Sequence, residues 1–170
     1  MRNVSVILLF FFTAVSSISD LFYPHGTKGN TSNPGADDVS SDAITLQSPF
    51  SFFGNTYSQI YVNNNGDLKF NQNQSVADGG KTFIAPFWTC LDNSVEGVIS
   101  YSQYSEGSVL SRATQDINQY FPEVNFTASW VFVATWDGVP YCEHPGKVRC
   151  KMLGFLVGGK EEDKGKQEGK

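Results

Sequence analysis

Apolar and aromatic positions recur along the chain in short bursts set apart by turn residues. The bursts are "AITLQ" (43–47), "FSFFG" (50–54), "SQIYVN" (58–63), "DLKF" (67–70), "TFIAPFW" (82–88), "GVISYSQY" (97–104) and "WVFVATW" (130–136). β-Branched and aromatic residues at this spacing predict the strands of a mainly β domain. One stretch follows another period. In "SVLSRATQDINQYF" Val109, Ala113, Ile117 and Tyr120 recur at helical spacing, and Leu110 and Phe121 widen the face. Ser108 is placed to cap this helix and Pro122 to stop it. Its polar face (Arg112, Gln115, Asp116, Asn118, Gln119) is expected to do no more than meet water. The pattern predicts an α+β fold: antiparallel sheets in a sandwich-like arrangement with one helix packed on a sheet.

Both ends depart from this pattern. Arg2 is followed by the apolar run "VILLFFF" and then by small residues. The run is too short for a bilayer-spanning helix, so residues 1–19 read as a secretory signal peptide, cut after Ser16 or Ser19. Residues 20–42, rich in Gly, Asn, Ser, Asp and Pro, read as an extended entry loop. The end of the chain, "GKEEDKGKQEGK", is charged and without period, and residues 148–170 are expected to be a largely disordered tail.

Secretion permits disulfides, and the chain holds Cys90, Cys142 and Cys150, an odd number. It also makes Asn30, Asn73 and Asn125, each in an N-x-S/T sequon, candidate glycan sites. Between residues 20 and 147 five basic residues face thirteen acidic ones, a net charge of −8 that would repel a phosphate backbone. Nucleic acid is therefore an unsuitable partner.

Candidate chemistry is sparse. "YVNNNGDLKF" (61–70) has an oxygen-rich look, but its twelfth position from Asn63 is Gln74 rather than Glu, and strands flank it. Asn65-Gly66 is instead a hairpin signal, expected as a type I′ turn with Val62 and Leu68 in the flanking strands. Asn63, Asn64 and Asp67 are expected to firm that turn by local hydrogen bonds. His25 and His144 belong to no nucleophile elbow or metal helix. Asp37 and Asp38 sit in a polar loop with nothing apolar to raise a carboxyl pKa. No catalytic residue, metal or cofactor is expected. Trp88, Trp130 and Trp136 read as core aromatics, the last two on one face of one strand. An exposed tryptophan would instead suit a carbohydrate-binding module.

Taken in order, "LFYPHG" (21–26), "PFSFFGNTYSQIYVNNNGDLKF" (49–70), "FIAPFWTCLDN" (83–93), "GVISYSQ" (97–103), "SVLSRATQDI" (108–117) and "ASWVFVATWDGVPY" (128–141) closely resemble the nidogen-like (NIDO) domain family, alpha-tectorin-like members above all. The resemblance covers about residues 21–145, with the domain taken as 43–147. It implies a non-enzymatic, extracellular protein of matrix and cell–matrix adhesion, working by contact with other matrix proteins or glycoproteins. Two departures stand out. Cys90 occupies a position usually acidic in the family, and the sequence after Lys147 loses the likeness, so the closing strands of the domain are expected to be missing. "MLGFLV" (152–157) can partly cover the open sheet edge, weakened by Gly154. Cys90 and Cys142 each follow a strong strand, and neighbouring strands would bring them together; Cys142–Cys150 across a short loop is the competing pair.

Overall fold

The computed structural model describes residues 2–12, 23–24, 31–71, 83–143 and 149–161. Its strands are β1 (Arg2–Phe12), β2 (Thr31–Ser32), β3 (Ile44–Phe52), β4 (Asn55–Asn63), β5 (Asp67–Lys69), β6 (Phe83–Ile84), β7 (Val98–Tyr104), β8 (Phe126–Pro140) and β9 (Arg149–Glu161). The helix α1 (Ser108–Tyr120) lies between β7 and β8. Two antiparallel sheets form, a larger one ordered β1-β9-β8-β7-β2 and a smaller one ordered β3-β4-β5-β6. The α+β sandwich predicted from the sequence is the fold observed.

The large sheet is covered on both faces, which explains why "WVFVATW" is apolar at every position but Thr135 rather than alternating. Trp130, Phe132, Ala134 and Trp136 of β8, with Met152 and Leu156 of β9, face the small sheet and meet Ile60, Val62 and Leu68. Val131 and Val133 of β8, with Leu153, Phe155 and Val157 of β9, face the helix residues Val109, Ala113 and Ile117. Side chains two apart along a strand share a face, so each strand feeds both layers. Irregularities between Ala128 and Trp130 and between Asp137 and Val139 shift the β8–β9 register. They carry Val139 onto the same face as Trp136 although the two are three residues apart.

α1 buries the face its period predicts, at Val109, Ala113 and Ile117, but Tyr120 is exposed. Its N-cap is Gly107, not Ser108, and no side chain caps it. The polar face is not idle. The Tyr23 hydroxyl donates to the Asp116 carboxylate at 2.7 Å, and the Arg112 guanidinium lies 4.6 Å from the centre of the Tyr23 ring. Asn118 brackets Phe126, donating to its carbonyl and accepting from its N–H, each at 2.8 Å. These bonds fix the helix against the start of β8.

The segment expected as a disordered tail supplies β9 over Arg149–Glu161, paired with β8 on one side and β1 on the other. The apolar block Met152–Val157 outweighs the flanking charge, because both of its faces find cover. Gly154, expected to weaken the strand, is where Pro86 crosses: an added Cβ would lie 2.9 Å from the Pro86 ring. Arg2–Phe12, read as the start of a leader, forms the edge strand β1 in the uncut chain. Residues 20–42 are more than a loop. Tyr23 and Asn33 are buried, β2 pairs with β7, and Ser40 bridges Asn63.

Candidate functional site

The three asparagines before Gly66 hold one end of the sandwich together. β4 and β5 pair Asn63 with Asp67, leaving a three-residue loop, Asn64 to Gly66. Only Gly66 within it has positive φ, at 84°. The turn is therefore not the expected type I′, which needs positive φ at two residues, but a longer loop closed by one left-handed glycine. Glycine is required there for space as well: a Cβ would sit 2.2 Å from the Phe87 carbonyl oxygen.

Asn64 is fully buried. Its side-chain amide donates to the Ala36 carbonyl and to the Asn93 side-chain oxygen, both at 2.7 Å, and its own oxygen accepts from Asn33 Nδ2 at 2.8 Å. Asn93 also accepts from the Ala36 N–H at 3.2 Å and donates to the Pro34 carbonyl at 3.3 Å. Asn33 donates to the Val62 carbonyl at 2.8 Å. Asn65 accepts from the Leu91 N–H at 2.9 Å and donates to Asp38. The Trp136 indole N–H reaches across the core to the Asn63 carbonyl at 3.0 Å. The asparagine run thus ties the entry segment, the hairpin, the 90–94 segment and β8 into a platform. A buried amide survives only with partners, and here the partners are distant in sequence.

Asp67 closes the hairpin beside this platform. It is buried, neither carboxylate oxygen has a hydrogen-bond partner among the described residues, and Lys69 Nζ is 3.9 Å away. Burial pushes its carboxyl up to about 6, with the Lys69 charge opposing.

Across the platform runs the 86–90 segment. Pro86 offers no N–H, so β6 stops at Ile84. Phe87 N–H donates to the Gly66 carbonyl at 3.4 Å and Thr89 N–H to the Asn65 carbonyl at 3.2 Å. This backbone anchoring turns the side chains of Phe87 and Trp88 outward. Trp88 is 58% exposed, which corrects its reading as a core aromatic; Trp130 and Trp136 are fully buried. Phe87 meets Tyr141 edge-on, ring centres 6.3 Å apart. The segment then runs antiparallel to 140–142. Leu91 bridges Tyr141, Asp92 N–H donates to the Pro140 carbonyl at 3.1 Å, and Cys142 N–H donates to the Cys90 carbonyl at 3.2 Å.

Cys90 and Cys142 form a disulfide there, Cα atoms 5.5 Å apart. Strands β6 and β8 belong to different sheets, so the cysteines meet because the segments after those strands pair, not because the strands do. Cys150, the competing partner, is buried in β9 as a thiol. Burial raises its pKa to about 11, which leaves it inert at neutral pH. Asp37 approaches the two disulfide sulfurs, but sulfurs bonded to each other offer no thiolate to a metal ion. Asp37 and Asp38 are exposed. Asn125 is exposed just before β8. Asn30, Asn73, His25 and His144 lie outside the described residues.

Phe87 and Trp88, with Tyr141 set against Phe87, present exposed aromatic area on a segment held by backbone bonds and followed by a disulfide. Such a surface offers apolar area without the entropy loss of a mobile loop, which suits contact with another macromolecule. Sequence reasoning missed both halves of the site. Asn33 and Asn93 carry no local signal of burial, and "APFW" reads as strand until Pro86 is given its due.

A model of the nidogen-like domain matches residues 58–152. Alpha-tectorin of Homo sapiens is 40% identical over 131 residues, which is 72% of this chain and 6% of that protein. Nidogen-2 of Mus musculus is 34% identical over 131 residues, 71% of this chain and 9% of that protein. Dendrite extension defective protein 1 of Caenorhabditis elegans is 32% identical over 130 residues, 74% of this chain and 11% of that protein. The chain therefore spans about a tenth or less of these relatives. No solved structure matches it. With the hairpin, the crossing segment and the β8 strand all inside the matched span, the chain belongs to the nidogen-like (NIDO) domain family.

Proposed function

We propose that this chain is a secreted protein of the extracellular matrix whose NIDO domain works by protein–protein contact, with Trp88 at the centre of the contact surface. Residues 1–19 act as its leader, as the charged start, apolar run and small residues suggest. Among the described residues no helix is long and apolar enough to cross a membrane. The observation that carries the reading is the 58% exposed Trp88, held outward by backbone bonds to the asparagine loop. Exposed tryptophans on rigid supports are the residues around which binding energy concentrates. The partners are other matrix proteins or glycoproteins. Asn125, exposed just before β8, carries a glycan. No catalysis is proposed.

The same exposed indole supports a second reading, a carbohydrate-binding surface on which a sugar ring stacks. Capture from a matrix extract with wild-type and Trp88→Ala protein separates the two. Protein partners lost on substitution support the first reading. A glycan-array signal lost on the same substitution, with no protein captured, supports the second.

A further inference from the structure

In the uncut chain β1 covers the outer edge of β9, pairing along all eleven of its residues from Arg2–Glu161 to Phe12–Lys151. The segment that covers this edge is the one read above as a leader. Cutting after Ser16 or Ser19 removes it and leaves β9, thirteen residues long, as an open edge. That edge is poorly guarded. Met152–Val157 contains no proline and no charge, the two devices that usually discourage pairing. Both faces of the strand are apolar too: Leu153, Phe155 and Val157 belong to the helix side, Met152 and Leu156 to the small-sheet side. An incoming strand must therefore be apolar on both faces and must run antiparallel, as β1 does.

β9 itself meets that description. Residues 149–159 of a second copy, laid in the register of residues 2–12, put Arg149 where Arg2 stands, opposite Glu161. Leu153 then falls opposite Val157, Gly154 opposite Leu156, and Phe155 opposite Phe155 of the other copy. Lys151 faces Gly159 and Lys160 faces Cys150, so no like charges oppose each other. The pairing is its own mirror in sequence: each contact i to j is repeated as j to i, which is the condition for a closed twofold dimer. Opposed residues share a face, so the helix layers and the small sheets of the two copies continue across the joint.

We infer that the mature chain is a homodimer, joined edge to edge through antiparallel β9–β9 pairing about Phe155 in the place vacated by the leader. The inference rests on the leader reading given under Proposed function. It is tested on protein secreted by cells carrying the full coding sequence. Intact mass gives the N-terminus, light scattering after gel filtration gives the assembly state, and amide hydrogen exchange locates the joint. The expected result is a chain starting after Ser16 or Ser19, dimeric, with slow exchange across 153–157. Glu161→Lys, at the end of the strand and away from the core, sets like charges together twice per dimer and should weaken it roughly tenfold. Adding Arg149→Glu to Glu161→Lys should restore the dimer. A cleaved chain that is monomeric overturns the dimer and leaves the leader reading standing. A product that keeps Met1 overturns both. A dimer whose 153–157 amides exchange freely, or one indifferent to Glu161→Lys, uses another surface and overturns the pairing.

Discussion

At the centre of the large sheet Trp130, Phe132 and Leu156 are shut off from water by other apolar side chains. At the end of the sandwich Asn33, Asn64 and Asn93 are just as deeply placed, but they are surrounded by backbone carbonyls and by one another. The two regions do the same job of joining sheets. The centre does so through area, which many side chains of similar size could supply. The platform does so through paired donors and acceptors, with Asn33 Oδ1 left over among the described residues, and few other residues could supply them. Removing a methyl from the first leaves a gap. Removing an amide from the second leaves buried polar groups without partners.

Trp136 belongs to both regions, since its ring fills the centre and its N–H holds the Asn63 carbonyl. Trp136→Ala should therefore have the largest effect, about 4–5 kcal/mol of lost stability in urea unfolding. A loss near that of an ordinary isoleucine-to-valine change would mean the two regions are not coupled through it. The disulfide clamps the platform side alone. Its loop of 52 residues predicts a loss of about 4 kcal/mol for Cys90→Ser with Cys142→Ser in the chain-entropy model.

Asn64→Ala sharpens the contrast. Three hydrogen bonds of the Asn64 side chain disappear, taking a donor from the Ala36 carbonyl and from Asn93 Oδ1 and an acceptor from Asn33 Nδ2, although Asn93 keeps the Ala36 N–H and Asn33 keeps the Val62 carbonyl. We expect about 3 kcal/mol of destabilisation, well above what the few lost atoms would cost in an apolar site. Asn64→Leu, which keeps the volume, should be no better tolerated. Rescue by leucine would place the platform in the same class as the centre.

Asp67 tests the platform by pH. Its carboxyl is raised from 3.8 to about 6 in the fold. The folded state thus holds the proton more tightly than the unfolded chain, and that advantage is lost as pH rises through 6, leaving a buried carboxylate whose charge Lys69 at 3.9 Å offsets only in part. Asp67→Asn should raise stability by up to about 3 kcal/mol at pH 7 and change it little at pH 3.5. Parallel melts of the two proteins across this range would show whether the difference closes on acidification.

How far each region was legible in the sequence follows from the same contrast. β8 announces itself in "WVFVATW", because burial on two faces leaves an apolar mark broken only at Thr135. Val109, Ala113 and Ile117 give α1 away by their spacing. β9 was hidden by its glycines and by the charges after it, although Met152, Leu153, Phe155, Leu156 and Val157 contain the signal. The platform left almost no trace. Asn64 reads as a turn residue, and its partners Asn33 and Asn93 are about thirty residues away on either side. Buried amides are chosen by three-dimensional neighbours, and periodicity cannot show those. Trp88 was misplaced for a related reason: its neighbours in sequence are apolar, but Pro86 and the two bonds to the asparagine loop decide which way it points.

The smallest effect on folding and the largest on function should come from the same substitution. Trp88 contributes exposed area, so Trp88→Ala should move stability by no more than about 0.5 kcal/mol. The most direct test is to titrate the captured matrix partner against wild-type and Trp88→Ala protein while following both melts. The account predicts unchanged melting and affinity weakened at least about tenfold. Equal affinity of the two proteins would contradict it.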